Sequence, residues 1–252
     1  MQFLSDHKLI TAVGIIILIF IFIGLSNFAY VRFSGSNVPV PDIPRAPITI
    51  GTGPEMKYLI LGDSTSVSQG SDYKDGYVTG SAEMLSQKYE VTYQNFGVSG
   101  AIVKDVLVDQ LPRSNEFIPD VALVAVGAND VTHLTSLASI ENDTNQIIDT
   151  LRSGNPDMKI VLTGSASMGD VKRLGYPLRW IAGLRTRQIN EVMLNIANEK
   201  QVTFAYVARE TGPQFRDNQD TYFAADNFHP NDAGYAVWTP VIIDAINQSL
   251  SE

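Results

Sequence analysis

Hydrophobic and polar positions divide the chain into three parts. The first contains an apolar run, LITAVGIIILIFIFIGL at residues 9–25, without a charged side chain. The second, SGSNVPVPDIPRAPITIGTGPE at residues 34–55, combines five prolines with small residues, a composition that favours extended chain over a packed core. From residue 56 onward, short apolar runs alternate with segments of helical periodicity. The pattern therefore predicts an apolar helix, a linker over 32–55 and one folded domain over 56–252.

The N-terminal apolar run predicts a transmembrane anchor over 9–31, preceded by a short tail at 1–8. A membrane-spanning helix needs about 20 apolar residues, whereas the apolar region of a cleaved signal peptide usually has about 7–15. A cleaved signal peptide and a buried core helix are the alternatives. Lys8 and Arg32 flank the run on opposite sides, so the positive-inside rule gives little orientation. An N-terminal anchor before one globular domain usually exports that domain, so we expect a cell-membrane protein with an extracytoplasmic body.

The domain over 56–252 shows the alternation that is typical of α/β proteins. We predict a doubly wound, mostly parallel five-stranded sheet flanked by helices, a flavodoxin-like three-layer sandwich preceded by the N-terminal transmembrane helix. The predicted strands are 57–64, 90–97, 120–130, 159–165 and 202–207, and the predicted helices are 77–89, 103–113, 139–153, 178–199 and 232–248.

Polar clusters follow the first three predicted strands. They read GDSTSVSQG at 62–70, NFGVSGA at 95–101 and VGAND at 126–130. A fourth cluster, AADNFHPNDAGY at 224–235, contains one of only three histidines in the chain. Doubly wound sheets bind ligands outside the carboxyl ends of their strands, so we expect these clusters to meet in one site.

Residues in these clusters match the needs of nucleophilic acyl transfer. That chemistry requires a hydroxyl nucleophile, a base, a carboxylate that orients the base, and donors for the developing oxyanion. Ser64 is the candidate nucleophile, His229 the candidate base and Asp226 the candidate orienting acid. Asn129 offers a side-chain amide to an oxyanion, and Gly100 lets a backbone N–H approach the same point without a Cβ in the way.

Composition and charge exclude several other functions. The chain has 252 residues, a formal net charge of −9 and no cysteine. The negative charge disfavours a nucleic-acid partner. The absence of cysteine excludes disulfides, thiolate zinc sites and a cysteine nucleophile. Asp63, Asp130 and Asn129 with His229 suggest a two-metal phosphoesterase, but such sites recruit several histidines, and the body has only His133 and His229.

The four clusters resemble the four motif blocks of the SGNH hydrolases, the GDSL-type esterases and lipases. LGDSTSVSQG, NFGVSGA, VGAND and DNFHPNDAGY occur in the family's order, over almost the whole body. The first block reads GDST, so the family's name-giving leucine is absent, at a position that is not catalytic. The resemblance implies an esterase without cofactor or metal. It implies Ser64, Asp226 and His229 as catalytic residues and Ser64, Gly100 and Asn129 as the oxyanion hole.

Several alternatives remain open. GVSGA at 97–101 is close to the G-x-S-x-G elbow of α/β-hydrolases, which would make Ser99 the nucleophile. Acyl transfer to a glycan acceptor would use the same residues as hydrolysis, and a non-catalytic surface binding module would keep the fold alone. The expected substrates are lipid, small acyl or O-acetyl-glycan esters at the cell surface.

Other polar residues near the clusters have structural interpretations. We expect Asp63 and Asp130 to cap and hydrogen-bond their loops, and His133 to be a solvated residue at a helix entry. Trp180 lies in a segment rich in arginine, where we expect a solvated helix face with the tryptophan packed inward. The alternative is that this segment borders the acyl or carbohydrate groove. The arginines are Arg173, Arg179, Arg185 and Arg187.

Overall fold

The computed structural model describes residues 2–33 and 35–251 of the chain. Its strands are β1 Ile48–Ile50, β2 Glu55–Gly62, β3 Glu90–Asn95, β4 Val121–Ala125, β5 Lys159–Leu162 and β6 Thr203–Phe204. Its α-helices are α1 Gln2–Phe33, α2 Tyr77–Leu85, α3 Val103–Asp105, α4 Leu111–Arg113, α5 Ala128–His133, α6 Leu137–Gly154, α7 Leu178–Lys200, α8 Val207–Asp217, α9 Gln219–Tyr222 and α10 Asp232–Ser251. A π-helical turn, Val106–Gln110, joins α3 to α4.

The strands form one sheet in the order β1-β3-β2-β4-β5-β6. Neighbours from β3 to β6 are parallel, which confirms the predicted doubly wound arrangement of five strands. The sheet nevertheless has six strands, because β1 pairs antiparallel with β3 at the edge. β1 is only three residues long and lies in the stretch predicted as a linker, so its period-2 pattern is too short to recognise.

Helices cover the sheet in two groups. One group contains α2, α8 and α10, and the other contains α6, α7 and the 103–113 segment. β4 is buried at every residue, as expected for a strand covered on both faces. The core is built largely from β2 and β4 together with the inward faces of α6 and α7.

Differences from the predicted boundaries have local causes. The third strand ends at Ala125 because Gly127 has a φ of 133°, which turns the chain into α5. The fifth strand, predicted over 202–207, is reduced to β6, because α8 begins at Val207. The helices α5, α8 and α9 were not predicted: α5 and α9 are short, and α8 carries Pro213 in its interior.

The N-terminal helix α1 is long and apolar enough to span a membrane. Its segment Ile10–Tyr30 has 21 residues and a mean hydropathy of 2.5. Most residues of Ile10–Tyr30 are exposed, but Gly24, Asn27 and Phe28 are partly buried, at the i, i+3, i+4 spacing of one helix face. This face contacts the body beside the N-terminal end of α7.

The segment between α1 and β1 lies against the body. Ile43 is only 4% exposed, and Arg45 donates to the carbonyl of Gly97 at 3.4 Å. Gln69 donates its side-chain amide to the carbonyl of Val38 at 2.9 Å. These contacts bring the chain that leaves α1 close to the carboxyl ends of the strands.

Candidate active site

The predicted site residues meet at the carboxyl ends of the central strands. β2 lies between β3 and β4 in the sheet. The chain runs from β2 to β3 on one side and then crosses to β4 on the other side, so the strand order reverses between β2 and β4. Such a reversal opens a crevice at the edge of the sheet. A cavity of about 710 Å³ lies there, and Ser64, Gly100, Asn129 and His229 all line it.

Hydrogen bonds from neighbouring elements fix the end of β2 and hence the position of Ser64. The buried side chain of Gln110 pairs with both backbone groups of Gly62, each at 2.8 Å. The next backbone N–H, that of Asp63, donates to the carbonyl of Ala125 at 3.1 Å. The backbone of the two residues before Ser64 is therefore fixed by Gln110 and by β4, and this fixes the position at which the Ser64 loop begins.

Ser64, His229 and Asp226 form a continuous chain of hydrogen bonds. His229 Nε2 lies 3.0 Å from Ser64 Oγ, and His229 Nδ1 lies 2.6 Å from Asp226 Oδ2. All three residues are buried. Because a carboxylate only accepts, Nδ1 donates to Asp226, which leaves the lone pair of Nε2 directed at the Ser64 hydroxyl.

Asp226 is held as a carboxylate by several donors. Its Oδ1 accepts from the backbone N–H groups of Phe228 and His229, both at 3.0 Å. Its Oδ2 accepts a further hydrogen bond from Ser36 Oγ at 2.7 Å. Burial alone would raise the pKa of Asp226, but the hydrogen bonds and charge of His229 outweigh it and hold that pKa below its ordinary range.

Asp63 has the structural role that the sequence suggested. Its Oδ1 accepts from both the backbone N–H and the hydroxyl of Thr65, each at 2.9 Å, which closes the turn around Ser64. Burial raises the pKa of Asp63 from 3.8 to about 6, although the Thr65 hydrogen bonds offset part of that rise.

The loop after β3 approaches the Ser64 loop closely. Asn95 donates to the carbonyl of Ser66 at 2.7 Å, and a Cβ on Gly97 would lie 2.0 Å from Ser66 Oγ. Glycine is therefore the residue that this approach allows. Further along, Gly100 has a φ of 86°, in the left-handed region, and lines the cavity together with Ser64.

Asn129 enters the cavity from the start of α5. One N–H of its side-chain amide donates to the carbonyl of Ala101 at 3.0 Å, which leaves the second N–H for an acceptor in the cavity.

Neighbouring Asp130 is buried and accepts from the backbone N–H of Val103 at 3.1 Å, as a loop-stabilising residue would. His133 is exposed, as expected, but it is the last residue of α5 and not a residue at the helix entry. Its Nδ1 donates to the Asn129 carbonyl, and its side chain borders the cavity.

Ser99, the alternative nucleophile, lines the same cavity but has a different partner. Its hydroxyl donates to Gln69 Oε1 at 2.6 Å, whereas His229 contacts Ser64. The geometry thus pairs the base with Ser64. In the part of the chain that the structure describes, no group of three or more His, Asp or Glu side chains could hold a metal ion.

The expected inward packing of Trp180 is wrong. Its side chain is 64% exposed. The core face of α7 passes through Ala182, Thr186 and Ile189, and at 100° per residue position 180 lies almost opposite to it. The alternative fits better, because Arg173, Ile181 and Arg185 from the same stretch border the cavity.

Three polar residues of the site were not identified from the sequence. Ser36 donates a hydrogen bond to Asp226, Gln69 accepts one from Ser99, and Gln110 accepts one from the backbone N–H of Gly62 at the end of β2. Ser36 and Gln110 lie far from the motif blocks, and their roles depend on contacts across the fold. Gln69 lies inside the first block, and its polar side chain next to a strand end is the only available signal.

The chain resembles known proteins of one family. Residues 60–237 match the model of the GDSL-like Lipase/Acylhydrolase family. GDSL-like esterase Rv1075c of Mycobacterium tuberculosis is 25% identical over 213 residues, which cover 79% of this chain and 64% of that protein. The chain thus spans less than two thirds of the length of this relative.

Solved structures show the same fold. Phospholipase A1 from Streptomyces albidoflavus NA297 superposes with a TM-score of 0.62 at 17% identity, over 75% of this chain and 99% of that one. The Clostridium thermocellum family 3 carbohydrate esterase gives a TM-score of 0.60 at 17% identity, over 78% of this chain and 98% of that one. Together with the family match, these likenesses lead to one conclusion: the chain belongs to the GDSL-like lipase/acylhydrolase family and has the SGNH hydrolase fold.

Proposed function

We propose that the protein is a membrane-tethered serine esterase that hydrolyses carboxylic esters through an acyl-enzyme on Ser64. The observation that carries the proposal is the hydrogen-bonded chain from Ser64 Oγ through His229 to Asp226, with distances of 3.0 and 2.6 Å. The nucleophile of this chain faces a cavity large enough for a small-molecule ligand. A binding module without catalysis would have no use for this arrangement.

Acylation begins with proton transfer within the triad. His229 Nε2 takes the Ser64 proton while Ser64 Oγ attacks the ester carbonyl carbon. The imidazolium that forms keeps its Nδ1–H on Asp226, whose negative charge stabilises it. When the tetrahedral intermediate collapses, the Nε2 proton passes to the leaving alkoxide, and the acyl group stays on Ser64.

Stabilisation of the oxyanion falls to three donors. We assign the backbone N–H groups of Ser64 and Gly100 and the second side-chain N–H of Asn129. The positive φ of Gly100 and the bond from Asn129 to Ala101 support this assignment, because both hold a donor in a fixed orientation. Fixed donors at a developing charge are usually the largest single contribution to acyl-transfer catalysis.

Deacylation repeats these steps with water. His229 takes a proton from the water as it attacks the acyl-enzyme, and returns that proton to Ser64 Oγ when the carboxylic acid leaves.

Tethering follows from α1, which we place across the cell membrane with the body on the extracytoplasmic side. The apolar segment Ile10–Tyr30 supports the position across the membrane, and the extracytoplasmic side is proposed because an N-terminal anchor before one globular domain usually exports that domain. On that side the accessible substrates are lipid esters, small acyl esters and O-acetylated glycans.

The test uses the full chain in detergent micelles and p-nitrophenyl acetate, butyrate and octanoate as substrates. Wild type and Ser99→Ala should hydrolyse them, because Ser99 has no contact with the base. Ser64→Ala should lose turnover by a factor on the order of 10³ or more. If Ser64→Ala is active and Ser99→Ala is inactive, the nucleophile is Ser99 and not Ser64. If the folded wild type hydrolyses none of these esters, the proposal of an esterase is refuted.

A further inference from the structure

We infer, on the basis of the esterase proposed above, that the mouth of the Ser64 cavity sits on the bilayer into which α1 inserts. Its substrate is then the ester of a long-chain acyl group that resides in the membrane. The contact surface consists of five exposed apolar side chains around the mouth, which we call the apolar rim. The rim is formed by Leu134, Tyr176, Trp180, Ile181 and Leu184.

The apolar rim brings together large side chains that are each more than half exposed. Trp180 is 64% exposed, Leu184 59% and Leu134 62%. Tyr176 and Trp180 also contact each other edge to face, with ring centroids 5.0 Å apart. Contiguous exposed apolar surface of this kind marks an interaction site rather than ordinary protein surface.

Contacts with α1 identify the partner as a membrane. Gly24 of α1 packs on Pro177, and Asn27 lies so close to Gly175 that a Cβ there would be 2.6 Å from its Oδ1. The Arg173 guanidinium lies over the Tyr30 ring at 5.4 Å. At 1.5 Å per residue these contacts fall within about 9 Å of the end of the apolar segment. The rim is therefore beside the point where α1 leaves the bilayer.

The charge around the rim complements an anionic lipid surface. The whole chain has a net charge of −9, yet residues 171–190 contain five basic side chains and no acidic one. Basic residues beside a membrane are attracted by anionic headgroups, and Trp and Tyr concentrate at the membrane interface. The five basic residues are Lys172, which is ion-paired with Asp220, and Arg173, Arg179, Arg185 and Arg187.

The cavity continues from the rim to the nucleophile along an apolar wall. Phe20, Ile21 and Leu25 of α1 line it on one side, and Leu178 and Ile181 of α7 line it on the other. These side chains lead to the buried Ser64 and can solvate an acyl chain, but they offer no hydrogen bond to a sugar. A long hydrocarbon chain that leaves the bilayer would follow this wall to place its ester at Ser64.

Seating of the rim can be measured without any enzymatic reaction. The full chain is reconstituted into vesicles of phosphatidylcholine and phosphatidylglycerol, with or without acyl chains brominated near the headgroup. The chain has two tryptophans, and Trp238 is only 7% exposed, so bromine should quench mainly Trp180. We expect most of the quenchable emission to disappear in Trp180→Phe. Equal quenching of wild type and Trp180→Phe would overturn the proposal.

Substrate class is tested by comparing a membrane ester with a soluble one. Trp180→Glu/Leu184→Glu changes two rim residues that do not line the cavity. The matched control, Val108→Glu/Ile118→Glu, adds the same two charges at side chains that are 50% and 54% exposed and lie outside the rim. We expect the rim variant to lose about tenfold in kcat/KM on p-nitrophenyl palmitate held in vesicles. It should keep its rate on p-nitrophenyl acetate, and the control variant should keep both.

Each outcome separates the docking surface from the esterase. Equal losses in rim and control variants on the vesicle substrate would refute the rim as the docking surface, and the esterase would stand. A wild type that cleaves the acetate but not the palmitate in vesicles would refute the membrane substrate. If the wild type cleaves neither, the proposed function fails, and Trp180 quenching still decides whether the rim sits on the bilayer.

Discussion

The buried carboxylate of Asp63 should make the stability of the body fall as the pH rises through the weakly acidic range. The folded state raises the pKa of this group from 3.8 to about 6, so the folded protein binds the Asp63 proton more tightly than the unfolded chain does. The contribution of Asp63 to stability is therefore largest below pH 4, where both states carry the proton, and decreases until both have lost it above pH 6. A difference of about two pKa units corresponds to about 3 kcal/mol in total, of which about 2 kcal/mol falls between pH 4 and 7.

Asp63→Asn isolates this effect, because the asparagine Oδ1 can keep both hydrogen bonds from Thr65. The assay is urea unfolding of the full chain in micelles, followed by the fluorescence of the buried Trp238. The free energy of unfolding of the variant, relative to wild type, should rise by about 2 kcal/mol from pH 4 to pH 7. For a domain of this size that equals about 4–8 °C in Tm.

The control is Asp157→Asn, which removes one negative charge at an exposed position. Its free energy of unfolding relative to wild type should change little over the same range, because solvent screens that charge in both states. For Asp63→Asn, the free energy of unfolding relative to wild type could instead be the same at pH 4 and at pH 7. That result would refute the idea that the Asp63 carboxyl group titrates between pH 4 and pH 7 in the folded protein.

Three further predictions concern the reaction. Asp226→Asn should lower kcat on the order of 10³–10⁴-fold, because an amide can donate to Nδ1 and leave the proton on Nε2; a small loss would contradict the assigned tautomer. Asn129→Ala should lower kcat about 10²–10³-fold with KM little changed, and a change in KM alone would remove it from the oxyanion hole. Ser36→Ala removes a hydrogen bond to the Asp226 carboxylate and should raise the Asp226 pKa, so Asp226 contributes less stability at neutral pH and the loss of that contribution on acidification is smaller and ends at a higher pH; an unchanged pH dependence of stability in acid would show that Ser36 has no such role.

Much of the fold follows from local sequence patterns. β4 is a continuous apolar run, and β2 contains the apolar run that ends at Gly62, so both were recognisable in the sequence. The parallel arrangement follows from the alternation of strands with helices. Because carboxyl ends of parallel strands share one edge, Ser64, Gly100 and Asn129 were predicted to meet. The structure brings them to one cavity with His229.

The remaining features depend on contacts that no local pattern encodes. β1 is stabilised by pairing with β3, including a hydroxyl contact of 2.9 Å between Thr49 and Thr92, and its own three residues carry almost no signal. Ser36 contacts Asp226 across 190 residues of chain. The outward position of Trp180 depends on which face of α7 meets the core. A helix with apolar residues on several sides leaves that choice open in the sequence.

The central claim is that Ser64 is the nucleophile and that His229 and Asp226 activate it. The most direct measurement is covalent labelling of the full chain with an alkyl fluorophosphonate, with the modified residue located by mass spectrometry. We predict a single modified site at Ser64, with labelling strongly slowed in His229→Ala and unaffected in Ser99→Ala. A label on Ser99 would contradict the assignment of Ser64 as the nucleophile. Labelling of Ser64 at the wild-type rate in His229→Ala would contradict its activation by His229.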